Sequence, residues 1–244
     1  MRTSLSWRFP EWWTLAISAL AWLVLLAGPS HAFFSGSKAP AYHDHFALAL
    51  TASWTPPTWI AQLLAWSLMV MAMMSPLTVA AIRITAARSL WWRRNRAIAW
   101  FLAGYLGLWL VAGVLISATI AAVRLDGWPH LSLIAATAFA AAAVWQLTST
   151  KARALRFCHR TAPIAPAGWR ANLDCARYGW LIGRGCLLSC WAMMLACVIA
   201  GHNVIAMGCA STVVVAERRA FRPYQRLMAA LLAGLALLYA TAIL

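Results

Sequence analysis

Residues 67–76 read SLMVMAMMSP, with Met69, Met71, Met73 and Met74 inside six positions and Pro76 following at once. The stretch is uncharged and lies within a longer apolar run, so its solvent has to be settled before its chemistry. A helix turns by about 100° per residue. That spacing puts Met69 and Met73 on one face and Met71 and Met74 on nearly the opposite one. All four cannot serve a single site.

The composition points to the solvent. The chain has 244 residues, 64% of them hydrophobic and 10% charged, a balance that ordinary soluble domains do not show. Several uncharged runs approach the roughly 20 apolar residues that a helix needs to cross a bilayer, and none alternates as a barrel strand would. The fold class expected is therefore all-α, a polytopic transmembrane bundle of about seven helices over 11–28, 58–80, 97–120, 131–149, 185–200, 203–216 and 226–244. These form one domain over 1–244, with an outer loop at 29–57 and basic cytoplasmic loops at 82–96 and 150–184. The fifth and sixth helices read as short, a hairpin or broken helix around GHN at 201–203. One continuous helix over 186–216 would carry Glu217, Arg218 and Arg219 to the outer side.

Basic residues outnumber acidic ones by 20 to 5, and almost all lie in four clusters between the apolar runs: Arg2 to Arg8, Arg83 to Arg96, Lys151 to Arg184 and Arg218 to Arg226. Alternate short loops rich in Lys and Arg mark the cytoplasmic side of a membrane protein, which speaks against a nucleic-acid patch. The expected location is the bacterial inner membrane, with the N terminus cytoplasmic, the C terminus outside and the lipid bilayer as first partner. The first apolar run has two readings. Trp12 and Trp13 suit a retained helix with an interfacial belt, whereas SHA at 30–32 resembles a signal-peptidase site.

Sulfur recurs in the fifth helix. Cys186, Cys190, Met193 and Cys197 follow one another at i, i+4, i+7 and i+11, a stripe on one face with Met194 at its edge. Thiolates and thioethers are soft donors that select Cu(I), with zinc less suited where thioethers contribute. Met and Cys also pack well as apolar side chains, and that bland reading competes at each position. Cys158 and Cys175 fall in the inner loop as free thiols, and Cys158-His159 is a plausible receiving pair. YHDH at 42–45 offers harder donors on the outer side. No C-x-x-C, nucleophile elbow or phosphate-cradling loop occurs, so a non-enzyme is expected. Lys151 and Glu217 each end a helix where a charge reaches headgroups or water, and they need no role.

The motifs resemble a bacterial family of predicted metal-binding integral membrane proteins. Its W-x-x-M-x-x-A-M-M-x-P helix is matched in full by Trp66, Met69, Ala72, Met73, Met74 and Pro76. Its Q-x-T-x-x-K-x-x-C-L-x-x-C loop keeps Gln146, Thr148, Lys151, Leu155 and Cys158, with Ala154 in place of the first cysteine. Its C-L-G-C-C-W helix is represented by Cys186, Cys190 and Trp191, with Ser189 replacing a cysteine, and its later E-K pair is Glu217-Arg218. The resemblance covers roughly 59–222 and implies metal binding. Two absent cysteines shift the donor balance toward thioethers, and so toward Cu(I) over zinc.

The leading expectation is a membrane protein that handles Cu(I) by transport or delivery. Its site is expected between the second and fifth helices, from Met69, Met73, Met74, Cys186, Cys190, Met193 and Met194, with Cys158 and Cys175 as inner donors. A metal chaperone or a larger membrane complex is the expected partner. The alternative is a non-catalytic structural or assembly subunit of such a complex, and a membrane thiol oxidoreductase ranks last.

Overall fold

A computed structural model describes residues 10–27, 56–123, 131–219 and 225–241. The outer-loop histidines His31, His43 and His45, together with His130, lie outside the described residues. Among the described residues every regular element is helical: α1 (Trp12–Ala27), α2 (Pro56–Met74), α3 (Val79–Ala87), α4 (Arg94–Val123), α5 (Leu131–Gln146), α6 (Ser149–Phe157), α7 (Gly168–Ile199), α8 (Val204–Arg219) and α9 (Gln225–Thr241). The all-α bundle expected from composition is the fold. Three stretches are long and apolar enough by length and composition to cross a membrane: Leu63–Ala87, Trp91–Thr119 and Gly168–Ile199.

Two boundaries differ from the expected ones. The fifth helix is not short: α7 begins at Gly168 and runs for 32 residues, taking in half of the segment read as an inner loop. Charge drove that misreading, because Arg170, Arg177 and Arg184 interrupt the apolar run without interrupting the helix. The remainder of that segment holds α6, which bends 73° away from α5 and is capped by Thr148 accepting from the Lys151 amide at 3.2 Å. The break near GHN is real. Gly201 and His202 take positive φ values of 67° and 56°, and the Asn203 side chain caps α8 by accepting from the Ile205 amide at 2.9 Å.

Pro76 explains the end of α2. A proline has no amide hydrogen, so the carbonyl four residues earlier, that of Ala72, loses its helical partner. Two side chains of α1 replace it: Ser18 Oγ donates to the Ala72 oxygen at 2.7 Å and Trp22 Nε1 at 3.1 Å. The chain tightens into a 3₁₀ turn over Ser75–Thr78 before α3 resumes. On the other side of α2, Trp66 Nε1 donates to the Trp109 carbonyl at 2.8 Å and ties α2 to α4.

The most extensive packing in the bundle is between α4 and α7, with α5 and α6 also against α7 and α9 against α5. A Cβ at Gly179 would strike the Phe101 backbone, and one at Gly104 the Ala176 carbonyl. Small residues thus let the two backbones meet, the usual device for close helix association in an apolar bundle. The basic segments gather at one end. Arg83 donates to Glu11 from Nε at 2.8 Å, Arg88 to the Ala162 carbonyl at 2.6 Å, and Arg93 to Asn172 Oδ1 at 2.6 Å.

Lys151 and Glu217 were expected to face headgroups or water. Instead their side chains are 2% and 0% exposed, and Nζ lies 2.9 Å from Oε1, an ion pair joining α6 to α8. The bend after α5 carries Lys151 inward toward the end of α8, which is why the expectation fails. Removing one partner leaves a buried charge without compensation. Glu217→Gln is expected to cost about 3–5 kcal/mol, seen as a lower unfolding midpoint in detergent, while Lys151→Met with Glu217→Leu together costs less. Gly179→Leu is expected to part α4 from α7 at about 3 kcal/mol or more, checked in the same assay with the conservative Gly208→Ala, which meets nothing, as the unaffected reference.

Candidate metal centre

Halfway along α7, Cys186 and Cys190 stand one turn apart, both fully buried. The break after α2 brings a third sulfur to them: Met74 Sδ lies 3.6 Å from Cys186 Sγ. Two sulfurs bound to one ion at about 2.3 Å each stand no more than about 4.6 Å apart, so this separation is compatible with a shared ion. The Tyr105 hydroxyl on α4 holds the junction, 3.2 Å from Cys186 Sγ and 3.4 Å from the Met74 carbonyl. Ser189 fixes the neighbouring turn, donating to the Cys186 carbonyl at 2.9 Å with its Oγ 3.3 Å from Cys190 Sγ.

The donor set differs from the expected one. Met69 and Met73 are buried in the core, yet the thioether that reaches Cys186 is Met74's, from the other face of α2. The reason lies in the packing: α2 rests mainly on α1 and α4, and α4 takes up most of α7. Only the end of α2, turned by Pro76, arrives at the thiols. Met193 and Met194 are buried a turn beyond Cys190. Cys175 and Cys197 each lie 11 residues from Cys186 along α7, about 16 Å of helical rise, and so cannot join it on one ion. Cys175 has Arg93 and Asp174 as its electrostatic neighbours, and Cys197 has Cys209.

Cys158, expected as a separate inner donor, comes to the same place. It occupies the turn after α6, and a Cβ at Gly185 would approach its Sγ to 2.9 Å. Its sulfur lies 3.4 Å from the Ala154 carbonyl, and burial pushes the thiol up to about 11, so it is protonated at neutral pH. Arg218, at the end of α8, interacts electrostatically with Cys158, Cys186, Cys190 and Tyr105. Sequence reading missed Tyr105 and Ser189 as supports of the thiols and gave Lys151, Glu217 and Arg218 no place near them. The Glu217-Arg218 pair was visible as a motif, but nothing in its spacing said which helix it faces.

Among the described residues no group of three or more His, Cys, Asp or Glu side chains is placed to hold a metal ion. The soft set available is two thiols completed by a thioether, few donors and all sulfur. Such a set suits Cu(I), which accepts low coordination and soft ligands, and it suits zinc poorly, since zinc takes four ligands in structural sites.

Comparison with known proteins agrees with the donor chemistry. No curated protein and no solved structure matches the chain. A family model does, over residues 63–243, from the middle of α2 to the end of α9, and its description is PpoB2, copper chaperone. That match takes in the proline break, the Cys186 and Cys190 thiols and the α6 and α8 charges, and it covers well over half of the sequence: the chain belongs to the PpoB2 copper chaperone family and is associated with copper.

Proposed function

We propose that this protein is an integral membrane copper chaperone that holds Cu(I) between Met74, Cys186 and Cys190 and hands it to a partner protein. The observation that carries the reading is the 3.6 Å approach of Met74 Sδ to Cys186 Sγ in the interior of the bundle. Three properties support it. The donors are soft and few, the pocket is buried among apolar side chains, and the family's description is that of a chaperone.

The proposed setting is the bacterial inner membrane, with the basic end of the bundle cytoplasmic. Support comes from the apolar length of the three long helical stretches and from the gathering of the arginine-bearing segments at one end. No catalytic step is proposed. Delivery needs only exchange of one sulfur ligand for another, so the ion never stands bare in hydrocarbon. Cys158, beside Gly185 and next to the thiol pair, is the nearest further sulfur for such an exchange. The proposed recipient is a copper-accepting protein or membrane complex that docks at this end.

Detergent-purified protein titrated anaerobically with Cu(I) against a chromophoric chelator is expected to bind one ion per chain with an all-sulfur X-ray absorption shell. Cys186→Ser and Cys190→Ser are each expected to weaken binding by about 100-fold or more, and Met74→Leu by about tenfold. Tyr105→Phe, which removes a support and no ligand, should cost about tenfold. Met69→Leu, Cys175→Ser and Cys197→Ser should leave the affinity as it is. Full copper affinity in the Cys186 and Cys190 variants would sink the site and favour a structural subunit.

A further inference from the structure

The first helix lies across the proline break and is fastened on both sides of it. Toward its end, Ser18 Oγ and Trp22 Nε1 donate to the Ala72 carbonyl of α2 at 2.7 and 3.1 Å. Just before its start, Glu11 accepts from Arg83 of α3 at 2.8 Å. Glu11 and Trp22 stand 11 residues apart, and so do Ala72 and Arg83, so the two segments run antiparallel over a matched length of about 16 Å. Between the fastenings, Thr14, Ser18 and Ala21 recur at i, i+4 and i+7 and are buried, while Leu20 and Leu23 are turned away and each 61% exposed. The buried face rests chiefly on α2 and the 3₁₀ turn. α1 is thus a splint over the interruption between α2 and α3.

The splint fixes the course of the chain at Met74. Ala72 precedes Met74 by two residues, and in an apolar interior its carbonyl is costly to leave unpaired. With Ser18 and Trp22 in place the break keeps its geometry. Without them the chain gains by carrying that carbonyl toward another donor, and Met74 moves with it. Little movement is tolerated: Met74 Sδ lies 3.6 Å from Cys186 Sγ, and sulfurs sharing one ion stand no more than about 4.6 Å apart. A displacement of about 1 Å therefore takes the thioether out of reach. We propose that Ser18 and Trp22 are positioning residues for the third sulfur: through the Ala72 carbonyl, α1 decides whether Cys186 and Cys190 hold Cu(I) alone or together with Met74. The proposal rests on the copper site put forward above and adds what controls its coordination number. The Glu11 fastening has the lesser part, because the Arg83 side chain is 60% exposed and water screens the pair.

The test uses the full chain in detergent, titrated anaerobically with Cu(I) against a chromophoric chelator, with the sulfur ligands counted by X-ray absorption. Ser18→Ala combined with Trp22→Phe is expected to weaken Cu(I) by about tenfold, as Met74→Leu does, and to lower the sulfur shell from three to two. Each single variant leaves the carbonyl one donor, which protects the fold, and is expected to lose about threefold. In a Met74→Leu background none of these substitutions should weaken binding further, since the ligand they position is gone. General damage to the bundle would instead add its loss there.

Three sulfurs and full affinity in the double variant, or in both single ones, would overturn the part given to α1. So would a loss that recurs undiminished in the Met74→Leu background, or a shell of two sulfurs in the unaltered protein. In each of these cases Cys186→Ser still loses Cu(I), and the thiol pair survives as a copper site. If Cys186→Ser and Cys190→Ser keep Cu(I) as well, the site and the splint's part in it fall together.

Discussion

A missing hydrogen on one backbone nitrogen organises this protein. Pro76 cannot donate to the Ala72 carbonyl, and in an apolar bundle an unpaired carbonyl is too costly to leave alone. Ser18 and Trp22 answer from α1, and so the first helix is bound to the second at the level of the break. The turn that follows sets the Met74 carbonyl beside the Tyr105 hydroxyl and delivers the Met74 thioether to Cys186. The meeting of the sulfurs and the satisfaction of the backbone are thus one arrangement. The four methionines that precede the proline have unequal parts in it, since three fill space and one meets the thiols.

The second organising contact is steric. α4 and α7 approach closely because Gly104 and Gly179 offer no side chain; Tyr105 lies at that approach, and Cys186 about two turns beyond Gly179. A rigid pair of long helices fixes the thiols, while the more irregular elements, the α2 break and the α6 bend, bring in the third sulfur and the charges. A chaperone must both hold an ion and release it. The proposed site, with two sulfurs on a rigid helix and a third on a broken one, bordered by a further thiol, has the parts for each task.

Charge is treated differently at the surface and within. Arg88 and Arg93 satisfy carbonyls and pair across segments at one end. Lys151, Glu217 and the inner atoms of Arg218 are instead enclosed. Enclosure raises the electrostatic effect of each unit charge, because little water remains to screen it.

Much of this was legible in the sequence. Composition and hydropathy alone dictate helices, because apolar runs of this length without alternation have no other way to satisfy their backbone. The i, i+4 spacing of Cys186 and Cys190 required them to share a face of one helix, and soft donors required a soft ion. Helical periodicity describes a single helix, however, and says nothing about which of its faces a neighbour will occupy. Only the tertiary structure decided that Met74 rather than Met69 or Met73 meets Cys186, that Cys158 joins the α7 thiols while Cys175 stands about 16 Å away, and that Lys151 finds Glu217 in the interior. Each of those outcomes is set by where the chain bends, at Pro76 and again after α5, and by how closely glycine lets α4 lie on α7.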